Sequence, residues 1–188
     1  MRIENPQPAP IVPSSRDHLI AGYAALAVAV QVLEAGFPSP LPGVKPGLAN
    51  VITLIVLQRH GWAAAAWVSG LRVLIGSLLV GSFLGPSFWL SAAGGLGAML
   101  ALAAGQQLSR YVRLSAIGLS LIAAQAHALA QFGLARLWLI PDAGLDRLLL
   151  PLLIAALLFG LVTGLIAQGV LRQMNGLPIS PLADKRGR

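Results

Sequence analysis

The chain contains no cysteine, which excludes disulfides, thiol catalysis and cysteine-held metals. Charge is almost as scarce. Only 10% of the 188 residues are Asp, Glu, Lys or Arg, against about a quarter in an ordinary soluble domain. So few charges cannot cover a water-facing surface. The acidic residues number six: Glu4, Asp17, Glu34, Asp142, Asp146 and Asp184. Asp142 and Asp146 are the sole close pair. The convergent carboxylates of a Mg²⁺-diphosphate enzyme and the facing pair of a glycosidase are therefore both lacking. There is no GxxxxGK(S/T) phosphate loop, no HExxH and no GxSxG elbow. Catalysis by this chain alone is not expected, nor is a bound metal or cofactor.

What is present is apolar: 56% of the residues are hydrophobic and the mean hydropathy is +0.78. The solvent that tolerates this balance is a lipid bilayer, which a helix of about 20 apolar residues can span. The pattern predicts an all-α, polytopic membrane protein of about six transmembrane helices, over 19–37, 47–59, 62–84, 87–108, 114–138 and 148–172. The second is short, so it must thin the bilayer or lie among its neighbours. Residues 1–18, with four prolines and no periodicity, read as a disordered cytoplasmic tail, and 173–188 as a basic one. Ala25-Leu26-Ala27 resembles a signal-peptide cleavage site, but the apolar stretch runs on to Phe37, long enough to span. Between the first two helices, residues 38–47 (PSPLPGVKPG) carry four prolines and two glycines, a composition that forbids regular helix and suits a stiff cap.

The net charge of +7 is spread along the chain rather than gathered in a stripe, so it points to membrane anchoring and not to nucleic acid. With the N-terminus inside, nine basic residues are cytoplasmic: Arg2, Arg16, Arg59, Arg110, Arg113, Arg172, Lys185, Arg186 and Arg188. Three are outside (Lys45, Arg136 and Arg147), and Arg72 falls within the third helix. This bias places both termini in the cytoplasm of a cell with the chain in its inner membrane.

Small residues recur every four positions in three helices: Ala21, Ala25 and Ala29 in the first, Gly94 and Ala98 in the fourth, Ala156, Gly160 and Gly164 in the sixth. Such ladders let helices approach closely in lipid. They serve either internal packing or, for the first helix, docking onto another membrane subunit. Polar residues inside the bilayer are costly and each requires a reason. Glu34, Arg72 and His127 fall at the midplane or in the outer half, with Gln31 and Gln131 on the faces of Glu34 and His127. Lys45 lies in the proline-rich cap and Asn50 in the first turn of the short helix. Taken singly, Glu34 and Arg72 read as a structural ion pair, His127 as an interhelical tie and Lys45 as an interface marker. Together they read as a chamber for a polar or anionic solute.

The runs LPGVKPGLANVITLIVL (41–57), LRVLIGSLLVGSF (71–83), SAAGGLGAML (91–100), AQAHALAQ (124–131) and GLVTGLIA (160–167) resemble the Gx transporter family. That family is also catalogued as heptaprenyl diphosphate synthase component I. The resemblance covers residues 19–172 and extends to the S components of energy-coupling factor transporters. It implies a six-helix, S-component-like bundle with 38–47 as its lid. It implies that Ala21, Ala25 and Ala29 contact a membrane coupling subunit, with ATP hydrolysis left to separate ATPase subunits. The expected function is solute binding for import, with Glu34, Lys45, Asn50, Arg72 and His127 lining the site. True prenyl diphosphate synthases carry DDxxD motifs, absent here, so the synthase name implies at most an accessory membrane subunit. A pure scaffold, with no ligand, is the remaining alternative.

Overall fold

The first helix begins where the sequence supplies a cap. The Ser14 hydroxyl accepts from the Asp17 amide at 3.2 Å, and the Asp17 carboxylate accepts from the Ser14 amide at 2.8 Å. This reciprocal pair satisfies two amides that would otherwise lack partners. In the computed structural model, which describes residues 13–36, 47–109, 114–139 and 143–176, α1 accordingly spans Ser15–Ala35. It starts four residues before the hydropathy pattern predicts, because the cap and not the apolar stretch sets its origin.

Five further helices follow: α2 (Ala49–His60), α3 (Trp62–Leu79), α4 (Pro86–Leu108), α5 (Ala116–Leu134) and α6 (Leu149–Gly176). Among the described residues there is no strand, so the chain is all-α as predicted. Three further boundaries differ from expectation, and the first is the end of α6, which runs to Gly176 rather than 172, four residues into the expected tail. α3 stops at Leu79 rather than 84, because Gly81 (φ 73°) and Leu84 (φ 59°) take left-handed conformations that end a right-handed helix. α5 ends at Leu134 and widens into a π turn over Ala135–Leu139, followed by a 3₁₀ turn over Ala143–Leu148. α2 and α3 are joined by Gly61 alone, at φ 83° and ψ 176°, a region open almost only to glycine.

Successive helices run antiparallel. α4 packs on α5, α5 on α6, and α6 on α2; α2 also meets α1 and α3, and α3 meets α1 and α4. Among the described residues five helices are long and apolar enough to cross a membrane: α1, α3, α4, α6 and α5 with its π turn. The bundle is apolar outside, where Leu33, Trp67, Leu79 and Leu100 are exposed, while Glu34 and Arg72 are buried within it. That distribution suits lipid and not water. At the end where α3 gives way to α4, Phe88 stacks edge-on with Phe83 and Trp89, and Trp89 meets Trp138 at 6.0 Å. Aromatic clusters of this kind belong at a membrane–water interface.

α2 is the exception. Its 12 residues reach about 18 Å, well short of a hydrocarbon layer of about 30 Å. Every residue from Val51 to Leu57 is buried, so α2 is a core helix that never matches the bilayer. Its C-terminal end is joined to α3 at Gly61, and His60 packs on Tyr23 of α1 at 5.5 Å, well inside α1. Against α3, which runs on past Arg72 to Leu79, the shortfall lies at its N-terminal end.

The small-residue ladders have two different uses. A Cβ on Gly160 would meet Ala124 at 2.8 Å, and one on Gly164 would meet Ile117 Cα at 2.8 Å, so the α6 ladder is an internal seam against α5. Gly97 does the same between α4 and α5. The α1 ladder is not internal. Ala21, Ala25 and Ala29 are all exposed, beside the exposed Leu26.

A contrast tests these seams. A Cβ at Gly97 would lie 2.7 Å from Ala130 Cβ and 2.8 Å from the Ala126 carbonyl, whereas one at Gly22 meets nothing within 4 Å. Gly97→Ala is expected to cost about 1–3 kcal/mol through overpacking, lowering the apparent Tm in detergent by about 2–4 °C per kcal/mol. Gly22→Ala is expected to melt at or slightly above wild type.

Candidate functional site

The column that α2 leaves unfilled is a cavity of about 330 Å³. Its walls come from the same end of all six helices: Gln31 and Glu34 near the end of α1, Gly47 and Asn50 at the start of α2, and Arg72 and Val73 on α3. α4 gives Ser87, Leu90 and Ser91, α5 gives Ala124, His127, Ala128 and Gln131, and α6 gives Leu152, Ala156, Phe159, Gly160 and Thr163. The cavity therefore extends from the middle of the bundle towards the end at which α1 passes to α2.

Glu34 is 7% exposed, and its Oε1 accepts from the Leu48 amide at 2.6 Å. Leu48 is the N-cap of α2 and makes no side-chain cap of its own. A carboxylate from α1 thus supplies the acceptor, placed where the α2 dipole favours negative charge. Arg72 is 6% exposed; its Nη1 donates to Asn50 Oδ1 at 2.9 Å, and its Nε has no partner. No Arg72 nitrogen lies within 4.0 Å of a Glu34 oxygen, and the one ion pair among the described residues is Arg136–Asp146 on the surface. The structural Glu34–Arg72 bridge that the sequence allows does not form. α2 stands between them, its Leu48 amide engaging the acid and its Asn50 amide the base.

His127 is packed against α4 at Gly94, where a Cβ would come 2.5 Å from the ring Nε2. The absent side chain makes room for the imidazole, and His127 Nδ1 is buried without a partner. Gln31 occupies the corresponding gap over Gly76 of α3. Four of the five residues expected from sequence, Glu34, Asn50, Arg72 and His127, line this one cavity. Lys45 and residues 38–46 of the expected lid lie outside the described residues.

Sequence reasoning missed the hydroxyls. Ser87 and Ser91 stand one turn apart at the start of α4, and Thr163 faces them from α6. Below, a smaller hollow of about 30 Å³ shares Asn50, Ala124 and Thr163 with the main cavity and adds Thr53, Ser69 and Ser120. Ser120 and Thr163 hydrogen-bond each other at 2.8 Å, whereas Thr53 Oγ1 is buried and unpartnered. The available signal was a lone hydroxyl in each of several apolar helices, which is also the pattern of ordinary helix packing. Among the described residues no three His, Asp or Glu side chains converge.

Burying an ion costs several kcal/mol unless a counter-charge and further hydrogen bonds compensate it. Among the described residues Arg72 makes one hydrogen bond, to a neutral amide, and no ion pair.

The profile of the heptaprenyl diphosphate synthase component I family matches residues 23–170, and the chain belongs to that family. The match takes in every described residue that lines the cavity. No curated protein and no solved structure matches the chain.

Arg72 is buried and makes no ion pair among the described residues, so removing its charge relieves the ligand-free protein. Arg72→Met is expected to melt at or above wild type in detergent. Asn50→Leu, which keeps the charge and removes its one acceptor, is expected to lose about 1–3 kcal/mol. A lower Tm for Arg72→Met than for Asn50→Leu would show a structural arginine.

Proposed function

We propose that the chain is the solute-binding membrane component of an energy-coupled importer, taking a small polar or anionic solute from the outer side. The observation that carries this reading is Arg72, a buried guanidinium on the wall of a cavity that makes no ion pair among the described residues and leaves its Nε unpartnered. Ionisable groups inside a membrane mark solute or ion pathways by default. The cavity volume falls in the range of about 300–1,000 Å³ typical of small-molecule sites.

In this reading residues 19–172 form the transport domain between two cytoplasmic tails, in the cell's inner membrane. The basic residues Arg16, Arg59 and Arg172 lie at the opposite end of the bundle from the cavity, so the positive-inside rule turns the cavity outward. The exposed alanine face of α1, at Ala21, Ala25 and Ala29, serves a membrane coupling subunit. Partner ATPase subunits supply the energy.

The family's description motivates a second reading, an accessory membrane subunit of heptaprenyl diphosphate synthesis. A prenyl chain is apolar throughout and calls for an apolar groove. The cavity wall combines apolar residues such as Val73, Leu90, Leu152 and Phe159 with Arg, Glu, His, Asn, two Gln and several hydroxyls, and it is the buried charged groups that favour a polar solute.

Native mass spectrometry of the gently purified protein is expected to show a retained non-lipid small molecule. Arg72→Met, purified in the same way, is expected to lose it, with affinity down at least about tenfold, as loss of a charge-assisted hydrogen bond implies. Wild-type protein that carries no such molecule, yet raises long-chain product when coexpressed with a prenyl synthase subunit, would replace this reading with the second.

A further inference from the structure

Glu34 and Arg72 face the same cavity and do not pair. We propose that the solute is a compact zwitterion, its anionic group held by Arg72 and its cationic group by Glu34. This rests on the solute-binding reading above and narrows it.

The placement of the two charges follows from the helices. Gln31 and Gly76 are in contact and mark one level of the α1–α3 pair. Glu34 lies three residues further along α1, about 4.5 Å towards the cavity mouth, and Arg72 four residues back along α3, about 6 Å deeper. Their Cα atoms are thus offset along the bundle by about 10 Å. Both side chains reach for the opening turn of α2, Glu34 for the Leu48 amide and Arg72 for Asn50. Those anchors are two residues apart, within about 6 Å. The charged heads are therefore too far apart to bond each other and close enough for one small molecule to bridge them.

Among the described residues both heads keep unused capacity. A guanidinium carries five N–H donors in a fixed fork; Arg72 uses Nη1 on Asn50, and its Nε is unpartnered. The Nε edge is suited to a carboxylate in a bidentate pair. A carboxylate has about four acceptor sites, and Glu34 Oε1 takes the Leu48 amide. An ammonium group with three donors complements the remainder.

Electrostatics then sorts the candidates. A monoanion on Arg72 stands beside the Glu34 carboxylate, and a monocation on Glu34 stands beside Arg72. At about 6 Å and an effective dielectric near 20, one such interaction is on the order of a hundredfold in affinity. A zwitterion satisfies both groups and brings no net charge into the bilayer. His127, the other titratable residue among the described lining, faces Gly94 between them and adds no fixed charge when neutral.

The test uses full-length protein in lipid nanodiscs and equilibrium dialysis. The probes are α- and ω-amino acids of increasing length, each compared with its des-amino acid and its decarboxylated amine. At least one amino acid is expected to bind at least about tenfold more tightly than both truncated relatives. Glu34→Gln is expected to erase the preference over the des-amino acid, and Arg72→Gln to abolish binding of both. A des-amino acid that binds wild type as tightly as its parent overturns the zwitterion, while leaving a solute-binding component in place. A preference that survives Glu34→Gln does the same. If no amino acid binds, the zwitterion is overturned; a retained, non-zwitterionic molecule in the native mass spectrum would then keep the broader reading, and its absence would end both. The wild-type comparison needs no variant, so a misfolded Glu34→Gln cannot obscure the result.

Discussion

A helix of 12 residues set among longer ones cannot fill its own column. Everything distinctive about this bundle follows from that mismatch. α2 meets α3 at Gly61, and α3 runs on past Arg72 to Leu79, so against α3 its missing length falls at the other end. Its first turn therefore opens beneath a hollow, with backbone amides and Asn50 turned towards it. Glu34 and Arg72 are drawn to that turn from opposite sides, one to an amide and the other to a side-chain oxygen. A full-length second helix would fill the space and leave neither charge anything to face.

The rest of the bundle is arranged to hold this hollow open. Lipid provides no hydrophobic drive for helices to associate, so close van der Waals packing must supply the cohesion. The α4–α5 and α5–α6 seams do so through Gly97, Gly160 and Gly164, where backbone meets backbone. Ser120 and Thr163 add a buried hydrogen bond across the second seam, and Gln125 donates to the Leu153 carbonyl at 3.1 Å. α1 is held less intimately. It touches α2 and α3 and leaves its alanine face uncovered. The rigid half of the bundle and the open half share the cavity wall.

Much of this was legible in the sequence. Charge scarcity and apolar periodicity specified an all-helical membrane protein, and the shortness of the second helix was visible in its flanking prolines and glycines. Glu34, Asn50, Arg72 and His127 stood out because polar groups are conspicuous in an apolar chain, and they do share a cavity. What could not be read was pairing. Sequence cannot tell whether Glu34 and Arg72 meet or are held apart, since this depends on the level at which α1 and α3 contact, set by Gln31 over Gly76. Nor does a small-residue ladder reveal which way it faces. The Ala21 ladder and the Gly160 ladder have the same spacing and opposite orientations. Helix ends were misread where local chemistry overrode hydropathy, at the Ser14 cap and at Leu84.

The central claim is that a charged hollow opens to the outer side of the membrane. Because the chain has no cysteine, a single one can be introduced without background. Ser91 lines the cavity, whereas Leu100 is on the lipid-facing exterior of the same helix. In intact cells, Ser91→Cys should react with a membrane-impermeant thiol reagent added outside, and Leu100→Cys should not. A cysteine at position 91 that stays unmodified, or reacts only when the reagent reaches the cytoplasmic face, would contradict the claim.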